Sequence, residues 1–180
     1  MDIDELIDDV IMREGGFSNH PADRGGATRW GITEAVARAH GYQGRMDALP
    51  VQLARDIYRN QYWLTPRLNR IARHNMLIAA EMFDTAVNMG PGVAVRMLQR
   101  ALNALNRRAR DYPDIDVDGL IGPATEAALG GFLTVRGKTG HTVLLKALEA
   151  LQGERYIALA EQRPANEAFL YGWLANRIGS

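Results

Sequence analysis

Residues 14–33 read EGGFSNHPADRGGATRWGIT and form the most informative stretch of the sequence. Glycine occurs in it as two adjacent pairs and again at Gly31, and Pro21 lies between the two pairs. Dense turn formers with little apolar–polar alternation predict a long ordered loop or a small hairpin. The chain on both sides is patterned as helix, so we expect the loop to lie within a helical protein.

A helix is predicted directly before this loop. Residues 3, 7 and 10 are apolar at the spacing of one helical face, and Gly15-Gly16 supplies a C-terminal stop. Glu14 continues the apolar stripe, which predicts a carboxyl group that faces apolar neighbours. Desolvation raises the pKa of a carboxyl group, as a general acid requires near neutral pH. The alternative is a glutamate at a helix end that reaches water and pairs with Arg13 or Arg24.

Two further polar residues follow within the loop. Asp23 comes nine residues after Glu14, and Thr28 comes five residues after Asp23. Glycoside hydrolysis needs an acid for the leaving oxygen and a second polar group that stabilises the cationic sugar or activates water. The candidate catalytic residues are therefore Glu14, Asp23 and Thr28. The alternatives are an Asx-type turn former at Asp23 and an ordinary loop hydroxyl at Thr28.

The remainder of the chain is patterned as helices. Strand signals are nearly absent, so the predicted fold class is mainly α, with one small irregular or hairpin loop that carries the active site. Apolar spacing and Gly or Pro boundaries predict helices at about 33–41, 50–63, 76–90, 93–105, a short one begun by Pro123, 141–162 and 166–178.

Composition excludes several classes of function. Lys plus Arg and Asp plus Glu number 21 each, so no positive field draws the chain onto nucleic acid or an anionic membrane. Cysteine is absent and the four histidines lack ligand spacing, so we expect no metal and no other cofactor. No run approaches the roughly 20 apolar residues of a membrane span, and Met1 to Leu6 lack the basic start of a signal peptide. We therefore expect synthesis in the cytoplasm.

Residues 14–33 resemble the signature of glycoside hydrolase family 108, the muramidases of phages and prophages. The resemblance implies a lysozyme-like, bilobal fold, a catalytic acid at Glu14, and the family's loop aspartate and threonine at Asp23 and Thr28. The order of these three residues is also similar to that of phage T4-type lysozymes, with one residue fewer between Asp23 and Thr28.

The chain departs from the family pattern at two loop positions. His20 stands where the family often has aspartate, and Arg24 stands where it often has proline. Both changes alter the charge of the loop, and with it the pH optimum or the fit of the substrate, but neither alters Glu14.

The segment from Glu81 to Gly92 is also similar to this family. Asp84 and Asn88 lie four residues apart on one helix face, where they either hydrogen-bond a sugar or form a structural polar pair. Flat aromatic faces pack against the C–H faces of sugars, although most aromatic residues belong to the core. The aromatic candidates for lining the cleft are Trp30, Tyr62 and Trp63.

The segment from Asp114 to Ile121 begins like an EF-hand calcium loop. The required bidentate glutamate is missing, because Thr125 holds its position, and Pro123 lies within the loop. The Asp-Gly-x-x-Gly-x-x-Thr pattern that ends at Thr125 instead resembles helical peptidoglycan-binding modules, which implies a shaped turn and a helix begun by Pro123. Calcium is therefore not expected.

These patterns predict two domains. Residues 1–90 form a catalytic lysozyme-like lobe, and residues 91–180 form a helical lobe that resembles peptidoglycan-binding modules and packs with the first as one unit. The second lobe either binds glycan or only completes the fold. We interpret the aromatic run at residues 169–174 as core packing.

The resulting hypothesis is an enzyme that hydrolyses the β-1,4 bond between N-acetylmuramic acid and N-acetylglucosamine in peptidoglycan. The resemblance implies a monomeric phage endolysin that reaches the wall after a holin permeabilises the membrane. The alternatives are a lytic transglycosylase, a non-catalytic protein that binds the cell wall, and a bacterial effector that is secreted with the same chemistry.

Overall fold

The computed structural model describes residues 1–18 and 26–179. Helices account for 72% of the described residues, which confirms the predicted mainly-α class. The α-helices are α1 (Ile3–Glu14), α2 (Glu34–Ala39), α3 (Val51–Tyr58), α4 (Leu68–His74), α5 (Met76–Met89), α6 (Pro91–Ala104), α7 (Pro123–Arg136), α8 (Gly140–Gln162) and α9 (Glu167–Arg177). The strands are β1 (Phe17–Ser18), β2 (Thr28–Arg29) and β3 (Ile32–Thr33), and a π-helical segment spans Arg59–Leu64.

The chain divides into two compact units, residues 1–65 and 66–180. In the first unit α1 packs on α3, and β3 packs on α2. In the second unit α5 contacts α4, α6 and α8. The side chains that fill the first core include Ile7, Val10, Ile32, Ile57 and Tyr58, and those that fill the second include Ile78, Phe83, Leu98, Phe132 and Leu144.

The loop predicted from residues 14–33 contains a small antiparallel sheet in the order β1-β2-β3. Ser18 pairs with Thr28, and Thr28 pairs in turn with Thr33. The β2–β3 hairpin therefore confirms the hairpin alternative within the described part of the loop. Each strand is only two residues long, which is too short for an alternating pattern to be visible in the sequence.

Most predicted helices are present with shifted boundaries. Thr33 caps α2, where its hydroxyl accepts a hydrogen bond from the Val36 amide at 3.4 Å, as its position before the helix predicts. The helix begun by Pro123 is longer than predicted, at 14 residues. Helix α4 is absent from the sequence prediction. It follows Arg67, which adopts a left-handed φ of 66° and caps the helix with no side-chain hydrogen bond, so the sequence carries no start signal there.

The interpretation of residues 169–174 as core is wrong. No residue of α9 is buried, and the side chains of Phe169 and Tyr171 are 59% and 86% exposed. Trp173 stacks on Tyr156 of α8 with ring centroids 5.1 Å apart, while Phe169 stacks only on Trp173. Helix α9 contacts α8 along one face, so the aromatic residues that point elsewhere remain in water.

Helix α5 ends at Gly90, whose φ of 92° suits a residue without a side chain, and α6 begins directly afterwards. The predicted domain boundary falls at this junction and stays a prediction.

Among the described residues, no helix is both long enough and apolar enough to cross a membrane.

Candidate active site

Helix α1 carries Glu14 as its last residue. Its start is fixed by a capping box, in which the Asp2 carboxylate accepts from the amides of Asp4 and Glu5 at 2.8 and 3.0 Å. Three apolar side chains, Ile7, Val10 and Ile11, anchor its inner face. The helix thus holds the backbone of Glu14 at a defined place.

The side chain of Glu14 is exposed, which corrects the expectation that it faces apolar neighbours. The apolar stripe ends at Ile11, and the next turn leads into Gly15 and Gly16, which bring no side chains to cover the carboxyl group. Periodicity gives the direction of a side chain from the helix axis, but it does not show where the packed core ends. Exposure leaves the carboxyl group accessible to a ligand.

A hairpin turn lies against Glu14. The turn consists of Trp30 and Gly31, which join β2 to β3 with φ values of 56° and 73°. A Cβ atom built on Gly31 would lie 3.1 Å from Cβ and 3.3 Å from Cγ of Glu14. Only glycine allows this close approach, so the backbone of the turn forms a wall beside the glutamate side chain.

The hydroxyl of Tyr58 meets the same turn from α3. It donates a hydrogen bond to the Trp30 carbonyl oxygen at 3.0 Å, and it would clash with a Cβ atom on Gly31. Burial raises the pKa of Tyr58, and the negative charges of Glu14 and Tyr62 raise it further. Tyr58 is therefore within electrostatic range of the Glu14 carboxylate, and sequence analysis did not single it out.

Thr28 lies on β2, two residues before this turn, and is half-buried. Its hydroxyl is 3.4 Å from the Gly26 carbonyl oxygen, the long end of the hydrogen-bond range. The structure thus places Thr28 and Glu14 in the same unit, with Thr28 on the hairpin that packs against Glu14. Asp23 lies outside the described residues.

Trp30 is half-buried and is held by its own contacts. Its indole N–H donates to the Leu49 carbonyl oxygen at 3.0 Å, and the Arg29 guanidinium lies 4.9 Å from the ring centroid. These contacts fix the ring within the first unit. They leave the proposed contact of Trp30 with a sugar as a prediction.

Tyr62 and Trp63 lie in the π-helical segment that continues α3. Trp63 is only 5% exposed, which favours its alternative interpretation as a core residue. Tyr62 is half-buried, its ring centroid lies 5.6 Å from that of Tyr58, and burial raises its pKa. Of the two, Tyr62 has more surface to offer a ligand. Single π-helical turns are frequent at functional sites.

Asp84 and Asn88 belong to the second unit, on α5. The Asn88 amide donates to the Asp84 carboxylate at 3.1 Å, and Arg177 forms an ion pair with Asp84 at 3.2 Å. The Gln152 amide donates to the Thr85 hydroxyl at 3.1 Å beside them. This network favours the structural alternative for Asp84, whereas Asn88 is exposed and keeps its proposed role as a sugar ligand.

Glu81 is the carboxyl group of α5 whose pKa is strongly raised, and sequence analysis did not select it. Burial raises its pKa to about 7, and the charges of Asp84 and Glu149 add to that effect. Its Oε1 atom is buried and has no hydrogen-bond partner among the described residues. The available signal was a lone glutamate within the apolar run at residues 76–87.

The segment that begins like an EF-hand is held by internal hydrogen bonds. Asp118 accepts from the Leu120 amide and from the Gln99 side chain, each at 2.8 Å, and Asp114 accepts from Asn106 at 2.9 Å. Thr125 is buried against Gln99. These residues therefore shape the turn before α7. In the described part of the chain, no group of three or more His, Cys, Asp or Glu residues could hold a metal ion.

Comparison with known families divides the chain into two matched regions. Residues 7–90 match the family model described as glycosyl hydrolase 108, and residues 93–178 match the one described as a predicted peptidoglycan domain. The first region contains Glu14, Thr28 and the hairpin turn, and the second contains the turn before α7.

Among solved structures, the chain is similar to that titled "Structure of Brucella abortus SagA", with a TM-score of 0.69 and 26% sequence identity. The similarity covers 96% of this chain and 87% of that one. No curated protein matches the chain. The family matches and this shared architecture agree with the lysozyme-like, mainly helical fold. The chain therefore carries a glycosyl hydrolase 108 domain at residues 7–90 and a predicted peptidoglycan domain at residues 93–178, and the two together support a glycosidase that acts on the cell wall.

Proposed function

We propose that the protein is an N-acetylmuramidase that hydrolyses the β-1,4 bond between N-acetylmuramic acid and N-acetylglucosamine. The observation that carries the proposal is the position of Glu14: an exposed carboxyl group at the end of a capped helix, packed against a hairpin turn, inside the region that matches glycosyl hydrolase 108. An accessible acid of this kind can protonate the leaving oxygen of a glycosidic bond.

In this proposal Glu14 protonates the oxygen of the leaving sugar as the bond breaks. Asp23 stabilises the positive charge that develops on the muramic acid ring or orients the attacking water, and Thr28 assists by holding that water. The proposed contacts to the glycan are Trp30, Tyr62, Trp63, Asp84 and Asn88. Exposed Asn88 and half-buried Tyr62 are better supported than Trp63, which is 5% exposed, and Asp84, which forms an ion pair with Arg177.

The biological role follows from the resemblance to phage muramidases. We propose an endolysin that acts as a monomer, reaches the wall from the cytoplasm after a holin opens the membrane, and causes lysis of the bacterium. The match to a peptidoglycan domain supports peptidoglycan as the target. An antibacterial effect of added protein would follow from the same chemistry, and a secreted bacterial effector is the alternative role.

The test compares wild type with Glu14→Gln on dye-labelled, purified peptidoglycan. Loss of the acid should lower dye release at least about 100-fold, since general acids contribute factors of that order. Binding to the insoluble wall, measured by co-sedimentation, should be unchanged. Asp9→Asn is the matched control, because Asp9 is also an exposed acid of α1, and this variant should release dye like wild type.

Two outcomes would contradict the proposal. Dye release by Glu14→Gln at the wild-type rate would remove Glu14 from the chemistry. Binding without dye release by wild type would favour the alternative of a non-catalytic protein that binds the cell wall.

A further inference from the structure

The Trp30-Gly31 turn is strained at a bulky residue. Two-residue hairpins with positive φ at both central positions normally carry Asn-Gly or a similar pair, whereas this turn has tryptophan first, with φ 56°. A left-handed conformation costs a residue with a Cβ atom free energy that the surroundings must supply. Such strain is concentrated at functional sites.

Three contacts hold the turn in this conformation. The Tyr58 hydroxyl donates to the Trp30 carbonyl at 3.0 Å, the Trp30 indole donates to the Leu49 carbonyl at 3.0 Å, and Arg29 lies over the indole ring. Tyr58 is the rigid member of this set, because it lies on α3 and is only 2% exposed. Its hydroxyl therefore anchors the backbone of the turn to the core.

The anchored backbone is the part that meets Glu14. A Cβ atom on Gly31 would lie 3.1 and 3.3 Å from Cβ and Cγ of Glu14, and it would clash with the Tyr58 hydroxyl. The glutamate methylene groups and the tyrosine hydroxyl thus occupy the same side of the Gly31 α-carbon. A shift of the turn towards or away from α1 would change the space in which the Glu14 side chain can rotate.

We propose that Tyr58 is a positioning residue, which acts through the Trp30-Gly31 turn to hold the Glu14 carboxyl group in its reactive orientation. This inference rests on the proposed function in taking Glu14 as the acid. Tyr58 itself does not touch the substrate in this arrangement, because it is buried. Small displacements of a catalytic group lower the rate of the chemical step much more than they weaken the binding of substrate.

The test is the Tyr58→Phe variant, which keeps the ring and removes only the hydroxyl. We expect kcat on soluble peptidoglycan fragments to fall between about 10- and 100-fold, with KM within about twofold of wild type. Tyr112→Phe is the matched control in the second unit, because the Tyr112 hydroxyl is also buried and donates to a backbone carbonyl, that of Leu102, at 2.7 Å. Both variants should lose similar stability in urea, and only Tyr58→Phe should lose kcat.

A double-mutant cycle gives a second, independent measurement. Gly31→Ala places a methyl group against the Tyr58 hydroxyl and Glu14, so it should lower kcat strongly. In the Tyr58→Phe background the same substitution should lower kcat by a smaller factor, because the hydroxyl oxygen that lies nearest to the new methyl group is absent. Equal factors in the two backgrounds would show that Tyr58 and the turn act independently, and would overturn the inference.

Glu14→Gln separates failure of this inference from failure of the proposed function. If Glu14→Gln is inactive and Tyr58→Phe has the same kcat as Tyr112→Phe, the positioning role is wrong and the assignment of Glu14 stands. If Glu14→Gln keeps its activity, the proposed function fails first, and the inference fails with it.

Discussion

Glu81 shows how one buried carboxyl group links stability to pH. Burial removes it from water, which disfavours its charged form, and Asp84 and Glu149 add negative charge nearby, so its pKa rises from 4.5 to about 7. The folded state therefore holds a proton that the unfolded chain releases at lower pH. The contribution of Glu81 to stability is fully present below about pH 4.5 and is lost as the pH rises through 7.

The Glu81→Gln substitution should remove this pH dependence. The free energy of unfolding of Glu81→Gln minus that of wild type should increase by up to about 3 kcal/mol from pH 5 to pH 8. The wild type loses stability over this range, whereas glutamine has no proton to release. Urea unfolding at the two pH values measures this difference. Glu154→Gln is the control, since Glu154 is an exposed residue of the neighbouring helix α8. The same pH dependence in Glu81→Gln and wild type would contradict the assignment.

Glu14 and Glu81 also show what sequence periodicity can predict at the scale of a residue. Periodicity correctly places Glu14 at the end of α1, but it cannot show that the side chain is exposed. Glu81 is covered by helices that come later in the chain, including α8, so its burial depends on tertiary packing. The contact of Glu14 with the Gly31 turn likewise depends on φ values that the sequence does not specify.

Among the helices, α9 and α7 differ in whether their aromatic residues are buried. Helix α9 lies on α8 along one face and buries no residue, whereas α7 contacts α4, α6 and α8 and buries Phe132 to 1% exposure. Burial of apolar area determines how much an aromatic residue stabilises the fold. The two helices should therefore respond differently to substitution.

Tyr171→Ser in α9 should change the free energy of unfolding by no more than about 0.5 kcal/mol, because Tyr171 is 86% exposed. Phe132→Ala in α7 should cost about 3–5 kcal/mol through the cavity that it leaves. Chemical denaturation of the two variants beside wild type is the measurement. A large loss in Tyr171→Ser would restore the earlier interpretation of this aromatic run as core.

Local patterns predict elements well only where those patterns are long. Helices α1, α5 and α6 carry clear apolar stripes and Gly or Pro boundaries, so they were found. A strand of two residues has no periodic pattern of its own, so the sequence does not predict where it lies. The π-helical segment Arg59–Leu64 has none either, and its residues merge with the neighbouring predicted helix. These strands form because the hairpin brings the three segments side by side, and their residue types alone do not predict them.

At the scale of the whole molecule, the family matches and the compact units divide the chain at different places. The glycosyl hydrolase match extends to residue 90, whereas the first compact unit ends at residue 65. Helices α4 and α5 therefore belong to the first match but share a core with α6 and α8 of the second. The resemblance in residues 14–33 predicts a glycosyl hydrolase 108 region, and the match to residues 7–90 confirms it.

In the proposed function, Glu14 is the acid that acts in hydrolysis of the β-1,4 bond between N-acetylmuramic acid and N-acetylglucosamine. The most direct measurement is mass spectrometry of the soluble fragments that wild type and Glu14→Gln release from purified peptidoglycan. We expect fragments with reducing N-acetylmuramic acid ends from wild type and none from Glu14→Gln. Anhydromuramic ends would indicate a lytic transglycosylase instead, and cut peptides with intact glycan strands, or the same muramic acid ends from Glu14→Gln, would contradict the claim.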